Sequence, residues 1–100
     1  MIESQLVDKI KTALKNEGGS FFKIHGGMFQ RRGMPDILYW RDNVSYAFEV
    51  KLPNEKHPVS KLQDRKLREL KAEGVVVGVV HSVEETLEII RTNISNYPRD

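Results

Sequence analysis

The 100-residue chain has no cysteine. Disulfides are therefore excluded, and so are thiolate metal ligands. Any bound metal must be held by oxygen or by one of the three histidines. Long apolar runs are also missing. The longest, Val75–Val77 with Gly78 and then Val79–Val80, is far too short to span a bilayer, and the first residues lack the apolar stretch of a signal peptide. There is no large excess of one charge: Lys and Arg number 16 against 14 Asp and Glu, a formal +2, so global charge alone does not imply nucleic acid. No repeat, low-complexity tract or Walker-type phosphate loop is present, and no Ser/His/Asp triad order. The expectation is one soluble, cytoplasmic domain spanning 1–100. A chain of this size buries about 60–70 % of the surface its unfolded state exposes, enough for one modest core.

Hydrophobic spacing supplies the elements. Ile2, Leu6, Ile10 and Leu14, widened by Val7 and Ala13, predict a helix from Ile2 to about Asn16, stopped by Gly18-Gly19. Ser20–Ile24 reads as a strand, His25–Pro35 as a mobile basic loop, and Asp36–Trp40 as a second strand. Arg41-Asp42-Asn43 makes a hairpin turn into a third strand, Ser45–Lys51. A loop with Pro53 and Pro58 leads to a helix from Ser60 to about Glu73, with Leu62, Leu67 and Leu70 inward. Val75–Val80 is β-branched on both faces, as in a strand covered on both sides. Ser82 opens a last helix with Val83, Leu87, Ile90 and Ile94 on one side, and Tyr97–Asp100 is expected to fray. The order αβββαβα gives an α/β fold. The hairpins imply antiparallel pairing, the crossover helix allows a parallel pair, and the result is a mixed sheet flanked by helices.

The hairpin has a chemical consequence. If the turn is centred between Arg41 and Asn43, so that paired residue numbers sum to 85, the antiparallel register sets Asp36 opposite Glu49 and both carboxylates lie at one end. Alternation puts Glu49 and Lys51 on one face, with Val50 on the other. Two like charges this close repel, and a divalent ion relieves the repulsion; oxygen donors suit Mg²⁺ or Mn²⁺. Lys51 beside such an ion can orient water or stabilise charge on a phosphate. The same residues also read as a turn aspartate followed by an exposed charge patch. Glu3 can head the inward stripe of the first helix, or simply favour its dipole. Gln63 lies on the face of Leu67 and Leu70, but Ser60-Lys61-Leu62-Gln63 also has the form of a capping box.

These residues, taken in order, resemble a known family. Glu3, Gly33-Met34-Pro35-Asp36, Phe48-Glu49-Val50-Lys51, and Gln63 followed by Leu67 are similar to the motifs of VRR-NUC nucleases, within the PD-(D/E)xK superfamily with its restriction-endonuclease-like core. The resemblance runs from Glu3 to about Ile90. It implies that Asp36, Glu49 and the Val50 carbonyl ligate Mg²⁺ or Mn²⁺, with Glu3 binding directly or through water. Lys51 would be the catalytic lysine, with Gln63 supporting the site. It further implies an endonuclease acting on DNA, similar to stand-alone phage and bacterial members that resemble Holliday-junction resolvases and work as homodimers, in a bacterial or phage-infected cytoplasm and with a place in DNA repair. Lys23, Arg31, Arg32, Lys56 and Lys61 are candidate phosphate contacts. His25, His57 and His81 read as non-catalytic loop residues. Of Tyr39 and Trp40, which alternate on a strand, one is expected in the core. A non-catalytic nucleic-acid-binding module of the same fold, and a structural partner domain, are the alternatives.

Overall fold

The computed structural model describes residues 1–23, 33–55 and 59–98, and for residues 22 and 23 the backbone alone. Helix α1 (Glu3–Asn16) forms where Leu6, Ile10 and Leu14 recur at one-turn spacing, and all three are buried. Ile2, expected on that stripe, instead precedes the helix and is exposed. Its N–H is taken by the Gln5 Oε1 at 2.8 Å. After α1 the chain reverses through Gly18 and Gly19, both at positive φ. Gly19 is required twice over, because a Cβ there would lie 2.5 Å from the Trp40 carbonyl oxygen.

The strands are β1 (Ser20–Lys23), β2 (Ile37–Arg41) and β3 (Val44–Val50), followed by α2 (Lys61–Ala72), β4 (Val76–Val80) and α3 (Val83–Thr92). This is the expected αβββαβα order. One four-stranded sheet runs β1-β2-β3-β4, antiparallel across the first two pairings and parallel between β3 and β4. Asp42 and Asn43 make the β2–β3 turn at φ 51° and 65°. Left-handed φ at two successive residues matches the twist of a tight hairpin, and Asp and Asn tolerate it.

The sheet is covered on both faces. Ile37, Tyr39, Tyr46, Phe48 and Val50 meet Leu6, Ile10 and Leu14 of α1 and Ile89 and Ile90 of α3. On the other face Ala47 and Val77 pack on Leu67 of α2. Tyr39 is fully buried and Trp40 exposed, as alternation requires. Leu62 and Ile94, both expected inward, are exposed. The inner stripe of α2 runs through Gln63, Leu67 and Leu70, and Leu62 lies beside it. Ile94 falls past the end of α3, which Asn93 closes in a left-handed conformation; Thr86 and Ile89 take the buried positions instead. Among the described residues no helix is long and apolar enough to cross a membrane.

The expected fraying of the C-terminal segment is corrected as far as Tyr97; residues 99 and 100 lie outside the described residues. Segment 95–97 closes the outer edge of β4. Asn96 N–H donates to the Val77 carbonyl (3.2 Å), and the Val77 N–H donates to Ser95 Oγ (2.8 Å). The Asn96 side chain holds Val79 at both its N–H and its carbonyl, each at 2.9 Å. The Tyr97 hydroxyl donates to Asp64 of α2. A strand edge that would otherwise offer unpaired groups is thus satisfied from within the chain. Asn96→Ala is expected to destabilise the fold by about 1–2 kcal/mol in chemical denaturation, through two stranded backbone groups; an unchanged midpoint would contradict this.

Candidate active site

The paired register brings Ile37 opposite Phe48. One step further it sets Asp36 opposite Glu49. Asp36 follows the fully buried Pro35 in a bend just before β2, and its Oδ2 accepts the Val50 N–H at 2.8 Å. The expected hairpin geometry is therefore present, with the Asp36 carboxylate clasping the end of β3.

Glu49 is the unusual residue. Its side chain is 3 % exposed, on the sheet face that α2 covers. Oε2 accepts the Gln63 Nε2 at 2.6 Å and lies 3.6 Å from the Lys51 Nζ. Oε1 is buried and has no hydrogen-bond partner among the described residues. Burial, and after it the Asp36 carboxylate, push the Glu49 pKa up to about 8, while Lys51 pulls the other way. Lys51 itself is largely buried, its side chain 14 % exposed.

Gln63 caps its helix and also bonds to Glu49. Its Oε1 accepts the Ser60 N–H (3.0 Å) and its own N–H donates to Ser60 Oγ (3.1 Å), completing the capping box. The amide nitrogen is left over, and that nitrogen binds Glu49. Glu3, half-buried in the first turn of α1, joins the same electrostatic neighbourhood. Its pKa is raised by burial first, then by Asp36 and Glu55, and lowered by Lys51. Glu55 is an acid that sequence reasoning missed; its only trace was a turn-forming Pro53-Asn54 just after Lys51.

A divalent ion fits this donor set. The oxygens are hard, two carboxylates face each other, and one buried oxygen lacks a partner among the described residues. Among the described residues no three carboxylate or imidazole side chains close round one point. Mg²⁺ does not need such a cage, because it keeps several waters and is bound through one or two carboxylates. Of the candidate phosphate contacts, Lys61 is exposed at the start of α2. Arg31, Arg32 and Lys56, the Lys23 side chain, most of the basic loop, His25 and His57 lie outside the described residues. His81 is engaged by Glu85, 3.3 Å from its Nδ1.

The raised Glu49 pKa has a stability consequence with a definite sign. A carboxyl whose folded pKa exceeds its unfolded value favours the fold while protonated, and this contribution is lost as pH rises through the folded value. Metal-free protein should therefore lose stability between about pH 5 and pH 8 relative to Glu49→Gln, by about 1 kcal/mol or more. Parallel pH profiles of wild type and variant in denaturant titrations would contradict it.

Comparison with known proteins points the same way. The model of the VRR-NUC domain family matches residues 27–84. A solved structure titled as a VRR-NUC domain aligns with TM-score 0.70 and 26 % identity, covering 89 % of this chain and 94 % of that one. A search of curated proteins finds no match. With the fold and more than half of the sequence in agreement, the chain belongs to the VRR-NUC family of nuclease domains.

Proposed function

We infer that the protein is a metal-dependent endonuclease that hydrolyses phosphodiester bonds in DNA, selecting branched structure over sequence and working as a homodimer. The observation that carries this reading is the buried Glu49, one oxygen without a partner among the described residues, set against Asp36 with the Lys51 ammonium 3.6 Å away.

Asp36, Glu49 and the carbonyl of Val50 would hold Mg²⁺ or Mn²⁺, with Glu3 contributing directly or through water. The ion, when bound, supplies Lewis acidity toward a phosphoryl oxygen and makes water more acidic. The remaining work belongs to the chain. Gln63 occupies one oxygen of Glu49, and among the described residues the other has no hydrogen-bond partner and would be free for the ion. Asp36 is fixed by its bond to the Val50 amide, so its approach to Glu49 does not depend on a free rotamer. Lys51, largely shielded from water, places a positive charge where a pentavalent phosphate would gain negative charge, and in this low-dielectric setting that attraction is strong. Glu3 adds negative charge that favours a cation.

Binding would rest on phosphate contacts from Lys61 and from Lys23, Arg31, Arg32 and Lys56. Two such sites about a twofold axis suit a four-way junction, whose arms present matched strands.

Asp36→Ala or Glu49→Ala is expected to lower metal-dependent nicking by about a thousandfold or more while leaving the circular dichroism spectrum native. The assay compares a four-way junction, a flap, a single strand and a linear duplex, each with and without Mg²⁺ or Mn²⁺. Wild-type rates in either variant would remove the assignment. Binding of junctions without nicking under any metal would favour a non-catalytic module. Light scattering at micromolar concentration should give a dimer, and a monomer alone would remove that part.

A further inference from the structure

The chain leaves β3 at Lys51 and turns at once. The Lys51 N–H donates to the Val80 carbonyl at 3.0 Å, carrying the parallel ladder one residue beyond β3. The next residues are closed by a single side chain. Glu55 N–H donates to the Leu52 carbonyl at 3.0 Å, and Leu52 N–H donates to Glu55 Oε2 at 3.0 Å. Pro53 and Asn54 form the exposed tip between them. Proline at that position presets φ and suits the turn. The device has the same reciprocal logic as the Ser60–Gln63 pair that opens α2.

The position of this turn gives it a role. Lys51 has a long, flexible stem, yet its ammonium must stay beside Glu49 with little solvent contact. Its Cα is held on one side by the bond to Val80. On the other side Leu52 is anchored by its side chain, packed against the core, and by its amide, whose acceptor is Glu55; the amide bond sets the direction of the backbone. Beyond Leu52 the chain has left the sheet. The half-buried Glu55 carboxylate also lies beside Glu3, so the Glu55 end of the turn lies against the site while its Pro53-Asn54 tip is exposed.

We propose that Glu55 is a positioning residue. By holding the Leu52 amide it fixes the direction in which the chain leaves Lys51, and so keeps the Lys51 ammonium at Glu49. Its catalytic consequence rests on the nuclease reading above; its geometric consequence does not.

Two variants separate the turn from the charge. Glu55→Gln keeps an acceptor oxygen and removes the charge, whereas Glu55→Ala removes both. In metal-free protein, amide exchange at Leu52 should be about tenfold faster in Glu55→Ala than in wild type or Glu55→Gln. The nuclear Overhauser contact between the Lys51 and Glu49 side chains should weaken in the same variant alone. With Mn²⁺ and DNA, Glu55→Ala should lower kcat about tenfold with KM nearly unchanged, and Glu55→Gln should recover most of the loss. The proposal is overturned by an intact Lys51–Glu49 contact in Glu55→Ala, by wild-type kcat in that variant, or by a glutamine variant as slow as the alanine one. A wild-type protein that never cleaves DNA would defeat the nuclease reading instead, and the metal-free measurements would still decide the role of Glu55.

Discussion

A carboxylate buried against another carboxylate is the constraint around which the site is organised. Desolvation and the Asp36 charge both oppose ionisation of Glu49, and one lysine only partly offsets them. Such a group is not what a fold selects for stability alone, because an apolar or amide side chain of similar size would sit there with less strain. Its neighbours hold it in that state. The hairpin places Asp36 opposite, Gln63 fixes one oxygen, and the other oxygen has no partner among the described residues.

The rest of the molecule serves the rigidity of that corner. Both sheet faces are covered, so β3 is buried from Tyr46 to Val50 and cannot shift register without moving aromatic side chains out of the core. Helix α2 has two tasks that meet in Gln63, whose oxygen caps the helix while its nitrogen reaches the site. At the far edge of the sheet, segment 95–97 closes β4, the strand that carries the backbone partner of Lys51. Edge closure and site geometry are therefore connected through one strand.

Much of this was legible in the sequence, and for a physical reason. Turn chemistry places the reversal at Arg41-Asp42-Asn43, near enough to bring Asp36 and Glu49 together; in the structure Arg41 still pairs with Val44, and the two-residue turn Asp42-Asn43 leaves the register no freedom. Helical spacing found Leu6, Ile10, Leu14 and Leu67 because those side chains are both apolar and covered. It erred at Leu62 and Ile94, since periodicity reports hydrophobicity and not which surface a neighbour covers. Asn96 and Glu55 escaped altogether. Asn96 matters through bonds to the backbone of β4, a distant segment, and Glu55 through a short-range bond to Leu52 whose weight comes from the turn's place beside Lys51 and Glu3; no local pattern encodes either placement.

The central claim is that the Asp36–Glu49 pair is completed by a divalent cation. Calorimetric titration of Mn²⁺ into metal-free protein near neutral pH, repeated in buffers of different ionisation enthalpy, tests it most directly. The account predicts one ion bound with release of a proton from Glu49, and loss of both signals in Glu49→Gln. Binding that is absent in the wild type, or unaffected by that substitution, would contradict it.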